Sequence, residues 1–173
     1  MGWVLVGCFI GDARALGQVF RHLTVEDGLP QMSVIDIARD QRGFMWFATT
    51  DGVARYDGYD FVTFRHDPAD PHSLPTNTVN TMVLDSVGLL WVGTDTGLAI
   101  IDTHTMTYAP SPLTDGKSLV ELIDQGDTVW ALLNEHLYQI RGQQILRYIR
   151  LPAAASTRHS IIPAEGKLLF RDA

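Results

Sequence analysis

The chain has 173 residues, 46% of them hydrophobic and 19% charged, which is enough apolar material for a packed core and too little charge for a disordered segment. A formal net charge of -7 offers no basic footprint for a phosphate backbone or an anionic lipid surface, so nucleic acid is a poor candidate partner. The single cysteine, Cys8, leaves no intrachain disulfide and no thiolate cage for a metal, and no apolar run reaches the ~20 residues of a membrane-spanning helix.

The first eighteen residues read as a signal-peptide-like segment, 1–18. An apolar run from Trp3 to Ile10 precedes Ala13-Arg14-Ala15, which sets small residues where a signal peptidase cuts, although a basic n-region is missing. Leu5-Val6-Gly7-Cys8 also passes as a lipobox, but the apolar Phe9-Ile10 behind it fits better as a continuing h-region. Residues 19–32 are then expected to hold an outer strand, Val19 to Thr24, closing the last blade of a ring, followed by a lead-in. Phe20-Arg21-His22 echoes Phe64-Arg65-His66 at a spacing of 44, so the chain opens on the tail of a repeating unit.

The repeat itself decides the fold. Sliding the chain by 45 places sets Leu29-Pro30 on Leu74-Pro75, Val34 on Val79, Asp40 on Asp85, Gly43 on Gly88, Trp46 on Trp91, Thr49 on Thr94 and Gly52 on Gly97. A weaker third copy, displaced by 39, sets Asp124 on Asp85, Trp130 on Trp91, Leu137 on Leu98 and Ile140 on Ile101. A fourth begins near Ser160.

Within each copy, short apolar or alternating runs separated by turn residues have the period of strands. Four runs are predicted in copy one, at 33–39, 44–49, 53–56 and 60–65. Copy two gives 78–84, 89–93, 98–101 and 105–109, and copy three gives 118–123, 128–133, 136–140 and 144–150. Four antiparallel strands in about 40 to 45 residues describe a propeller blade, and nothing sustains the 3.6-residue period of a helical solenoid. The predicted fold is therefore all-β, with β-propeller blades over 33–73, 74–113 and 114–152 and the start of a fourth over 153–173. About three and a half blades make an incomplete ring, an open arc with exposed strand edges that invites pairing with another copy.

Asp40-Gln41-Arg42-Gly43 and Asp85-Ser86-Val87-Gly88 are predicted hairpin turns, in which the carboxylate accepts backbone N–H bonds and glycine closes the turn. A calcium role suits them less, since single carboxylates without neighbouring oxygen ligands hold calcium poorly. Trp46, Trp91 and Trp130 recur at one position of the second strand and are expected between blades rather than as sugar platforms. Thr49 to Gly52 and Thr94 to Gly97 close the second hairpin. Thr50, Asp51, Asp95 and Thr96 would then line one mouth of the channel with the blade-to-blade loops, which vary most between copies. From those loops His72, Arg158 and His159 complete the candidate ligand-binding set. No catalytic constellation, metal site or cofactor is expected.

At the Leu-Pro-x-x-x-Val head, the Asp-x-x-Gly turn and the Trp-x-x-Thr strand end, the sequence resembles the two-component regulator propeller repeat. The matching stretches are Leu29 to Val34 with Asp40 to Gly58, and Leu74 to Val79 with Asp85 to Asp102. Copy three departs from the pattern, with Leu133-Asn134-Glu135 in place of the Thr-Asp-x-Gly loop. The resemblance implies a periplasmic sensor in an inner-membrane receptor, binding a small molecule, a carbohydrate among the candidates. Its signal would pass to a histidine kinase or diguanylate cyclase output domain, and a dimer of the full-length receptor is open. The alternatives are a protein-interaction propeller and a propeller-fold carbohydrate-active enzyme.

Overall fold

The computed structural model describes residues 21–109, 111–113, 118–151, 160–164 and 167–171. The first sheet comprises β1 (Val34–Arg39), β2 (Met45–Thr49), β3 (Gly52–Tyr56) and β4 (Phe61–Phe64), hydrogen-bonded in chain order. The second comprises β5 (Val79–Leu84), β6 (Leu89–Thr94), β7 (Gly97–Asp102) and β8 (Thr107–Ala109), and the third β9 (Leu119–Asp124), β10 (Val129–Leu133), β11 (His136–Arg141) and β12 (Gln144–Arg150). A separate hairpin joins β13 (Ser160–Ala164) and β14 (Lys167–Arg171). These are three propeller blades, with every predicted strand of copies one to three formed within two residues of its expected bounds.

The repeated aspartates do more than shape the turns. Asp40 Oδ1 accepts the backbone N–H groups of Arg42 and Phe44, both at 3.0 Å, while its Oδ2 accepts the Trp46 indole N–H at 3.1 Å. Asp85 repeats the arrangement with Val87, Leu89 and the Trp91 indole at 3.0, 2.8 and 2.9 Å. One carboxylate thus fixes the turn and satisfies the polar atom of the side chain that fills the seam between blades.

Blade three corrects the alignment drawn from the sequence. Asp124 pairs with Val129 at the end of β9, so it stands level with Leu84, which pairs with Leu90. Gln125, not Asp124, occupies the place of Asp85, and its Oε1 accepts the Trp130 indole N–H at 3.0 Å. The turn is one residue shorter, because Gln125 N already bonds to Thr128 O at 2.8 Å whereas Asp85 N bonds to Leu89 O. A fixed displacement of 39 cannot register that deletion.

Trp46 and Trp91 lie between blades, as their spacing predicts. Trp46 packs with Val53, Phe64, Leu90 and Val92 in the seam of blades one and two, and Trp91 with Leu122, Ala131 and Ile140 in the next. Trp130 joins Leu132, Leu137 and Leu151 on the far side of blade three. Burial of a ring of this size, with its N–H bonded, is the largest single contribution each seam receives. The turns at this end also touch: Gln41 Nε2 donates to Ser86 O at 3.0 Å, and Ser86 Oγ to Gly126 O at 2.7 Å.

Each inner strand carries one extra residue near its start. The ladder steps from Val34 to Asp36, from Val79 to Thr81 and from Glu121 to Leu119, leaving Ile35, Asn80 and Val120 as bulges at equivalent places.

Of the segment expected as a closing strand, Val19 to Thr24, residues 21–24 are described; they pair with no strand among the described residues, and a 3-10 turn, Val25–Asp27, follows at once. Thr24 caps it: its Oγ1 accepts Glu26 N–H at 3.2 Å, and Asp27 Oδ2 accepts Thr24 N–H at 2.9 Å. Leu23 and Leu29 pack on Phe47, Tyr56 and Phe61, covering part of the free face of blade one. The signal-peptide-like segment 1–18 falls outside the described residues.

Candidate functional site

Antiparallel order sends the β2–β3 turns and the blade-to-blade loops to the same end of the blades, opposite the aspartate turns. In blade one, Gly52 N–H donates to Asn77 O at 2.8 Å, so the turn and the loop that returns to β5 are joined directly. Gly52 has φ of 103°, and a Cβ there would stand 2.4 Å from Phe64 O, which leaves room only for glycine.

Asp51 is the hub of this end. Its Oδ2 pairs with Arg65 Nη2 at 2.9 Å, its Oδ1 accepts from Asn77 Nδ2 at 3.2 Å, and its backbone oxygen accepts from Arg65 Nε at 3.2 Å. Asn77 Oδ1 takes the His66 backbone N–H at 2.7 Å. Asp51 is therefore occupied in holding the loop, while Thr50 beside it is exposed. In blade two, Asp95 Oδ1 accepts from Asn80 Nδ2 at 2.9 Å. Asn80 is the bulged residue of β5, so the bulge aims its side chain at the turn.

Beside this network lies a half-open cavity of about 470 Å³. Its origin is a strand that stops early. In blade one, Val53 is covered by its cross-strand partner Phe64, whereas in blade two β8 ends at Ala109, opposite Ile100, and Leu98 has no partner on that strand. Leu98, Ile100 and Leu113 form an apolar floor, and His66, Asp67, Asp70, His72 and Thr96 form a polar rim. His66 Nδ1 lies 2.7 Å from Leu74 O. A carbonyl only accepts, so the Nδ1 carries the proton and donates, and a neutral His66 keeps Nε2 as an acceptor at the cavity. Under the loop, burial pushes the Tyr108 phenol up to about 12; a backbone hydrogen bond from Leu74 opposes the rise and the Asp70 charge adds to it. Tyr108 stays neutral at physiological pH and donates to Arg65 O at 3.4 Å.

Of the residues singled out in the sequence, His72 and Thr96 meet in this cavity. Thr50, Asp51 and Asp95 share its end of the molecule without lining it, and Arg158 and His159 lie outside the described residues. Arg65, His66, Asn77 and Asn80 were missed. The pair Arg65-His66 was visible as an echo of Arg21-His22, but its partner Asn77 stands at a variable position of the Leu-Pro-x-x-x-Val head, where copy one has Met32. Among the described residues no three His, Cys, Asp or Glu side chains gather to hold a metal ion.

Residues 28–51 and 73–96 match the family model described as Two component regulator propeller. Each match runs through the inner strand, the aspartate turn and the tryptophan strand to the β2–β3 turn. These two stretches of blades one and two are similar to the regulator propeller repeat.

Over 56 residues the chain is 45% identical to Histidine kinase P4 of Formosa agariphila, a stretch covering 32% of this chain and 4% of that protein. Among solved structures it resembles the extracellular domain of BT3049 from B. thetaiotaomicron, described as a hybrid two component system, with a TM-score of 0.65 and 21% identity over 74% of this chain and 20% of that one. The extracellular domain of BT4673 from B. thetaiotaomicron, described as a one component system, gives 0.59 and 23% over 77% and 18%. An ancestral GH74 enzyme gives 0.56 and 16% over 75% and 20%. The chain thus spans a small part of each of these proteins, and at these identities the structural likeness concerns the fold. Of the cavity rim, His66, Asp67, Asp70 and His72 fall between the two matched stretches, while Thr96 ends the second.

Proposed function

We propose that this chain is a sensing segment of an extracellular or periplasmic propeller in a two-component-type receptor, presenting its loop end to a small molecule. The observation that carries the reading is the cavity under the 66–75 loop, set on a rigid repeat frame of the regulator propeller kind. Its apolar floor and rim of acceptors and imidazoles suit an amphipathic, hydroxyl-rich ligand, and an oligosaccharide heads the candidates. Ligand binding would shift the population of blade arrangements and so act on a histidine kinase or diguanylate cyclase output domain. The extracellular setting of BT3049 and BT4673 supports the location. No described helix is long and apolar enough to cross a membrane.

A thermal-shift screen of the protein against oligosaccharides, repeated on His72→Ala and Thr96→Val, tests this. Selective stabilisation that both substitutions reduce is the expected result. Equal response of all three proteins would overturn the assignment of the cavity, and turnover of a saccharide would favour the enzyme reading. A protein-interaction role has one observation of its own: β12 is a seven-residue outer strand exposed throughout, with Ile145, Leu146, Tyr148 and Ile149 facing solvent.

A further inference from the structure

We propose that the outer hairpin of blade three carries a second saccharide contact, an aromatic patch made by His136, Tyr138 and Tyr148 that stacks on the C–H face of a neutral β-linked pyranose. The ligand class rests on the sensing reading above, while the site rests on independent geometry.

Tyr138 and Tyr148 are direct cross-strand partners of β11 and β12. Their ring centroids are 5.9 Å apart with planes inclined by 34°, and His136 lies 6.2 Å from each. Three rings therefore share one face of the hairpin in a compact triangle. The inner edge of that triangle is anchored, because Tyr138 packs against the apolar seam of blades two and three. The outer edge is open, with Tyr148 64% exposed.

Blade architecture does not require these rings. The tryptophans repeat in all three blades, but the residues paired like Tyr138 are Ala54 and Ala99, and those paired like His136 are Gly52 and Gly97. Blade three moves its left-handed residue to Asn134, at φ of 49°, which frees the next strand to begin with a histidine. Tyr148, exposed on the outer strand, is unexplained by packing within the seam, and the half-buried His136 and Tyr138 stand where the other two blades have glycine and alanine.

The charge around the patch selects the ligand. Arg150, opposite His136 in register, turns its Nε and Nη2 onto Glu135 Oε2 at 3.2 and 3.1 Å. The two charges cancel, so among the described residues the patch offers ring faces, two phenol hydroxyls and a balanced ion pair, without a free charge to draw an ionic ligand. A pyranose combines an apolar C–H face with equatorial hydroxyls and matches both parts. The apolar floor of the cavity, Leu98, Ile100 and Leu113, belongs to the same seam cluster on which Tyr138 rests.

The test is calorimetric titration of the whole chain with cellotetraose and with β-1,4-galactotetraose, on the parent and on Tyr148→Ala, Tyr148→Phe and His72→Ala. Binding of at least one tetrasaccharide is expected, weakened about tenfold by Tyr148→Ala and changed less than about twofold by Tyr148→Phe, with the thermal midpoint held. The patch is refuted if neither sugar binds, if Tyr148→Ala binds like the parent, or if a polyproline peptide binds through Tyr148 in their place. Loss on His72→Ala with Tyr148→Ala unaffected would leave the cavity reading standing and remove this one.

Discussion

Replacing Asp85 with alanine strips three hydrogen bonds from one seam. Two of the donors, the Val87 and Leu89 backbone amides, lie near the surface, where water recovers much of the loss, so each costs about 0.5–1 kcal/mol. The third donor is the indole of Trp91, a residue with 0% exposure, and its N–H would be stranded beside a void at about 1–3 kcal/mol. The sum is about 2–5 kcal/mol for Asp85→Ala, and Asp40→Ala should fall in the same range. Gln125→Ala removes a single neutral bond to Trp130, which is 3% exposed, and should cost about 1–2 kcal/mol. Urea unfolding followed by tryptophan fluorescence gives the midpoints at constant m-value. The expected order is Asp85→Ala and Asp40→Ala well below Gln125→Ala. A Gln125→Ala as costly as Asp85→Ala, or an Asp85→Ala within about 0.5 kcal/mol of the parent, would refute the view that one carboxylate ties turn to tryptophan.

Three further outcomes follow from other parts of the structure. Burial, with the Asp85 charge adding to it, raises the Asp124 carboxyl above its ordinary value of 3.8, and its Oδ1 is buried without a partner. A carboxyl raised by folding is more protonated in the native state, so its contribution to stability declines as pH climbs from 3.8 through the raised value. Asp124→Asn should gain on the parent across that interval and keep its advantage above it, read as the difference of two denaturation series. Gly52→Ala should cost more than about 3 kcal/mol, because strain at φ of 103° is joined by the clash with Phe64 O, while Gly58→Ala, at φ of 104° with nothing within 4 Å, should cost about 1 kcal/mol; thermal melts of both compare them. Asp51→Ala should raise hydrogen exchange across 65–77 with little change in the blade strands, since it releases Arg65 and Asn77 together.

The strands and the seams were legible because their causes are local or repeated. Alternation sets a strand, Asp-x-x-Gly sets a turn, and a tryptophan recurring at 45 residues marks a contact that every blade makes. The shift to Gln125 was hidden because a one-residue deletion inside a turn preserves the spacing of everything after it. The capping box at Thr24 and Asp27 was also hidden, because it rests on side-chain bonds within a single turn rather than on a repeated pattern. The cavity was illegible for a third reason. It arises from an early strand end at Ala109 and a loop bond between Asn77 and Asp51, and neither the length of an outer strand nor a side-chain bond across 26 residues leaves a periodic trace. His72 was singled out because variable loops on a repeated frame are where a site can be added without disturbing the frame, and Thr96 because its turn shares their end of the blades.

The extra residue near the start of every inner strand makes one side chain per blade exchangeable. Because the ladder resumes its register on either side, isoleucine, asparagine and valine occupy the same backbone step in the three blades. Duplicated units that share such a step can diverge in what they recognise while remaining mechanically interchangeable. A library varied only at Ile35, Asn80 and Val120 would explore new binding preferences at small cost to folding.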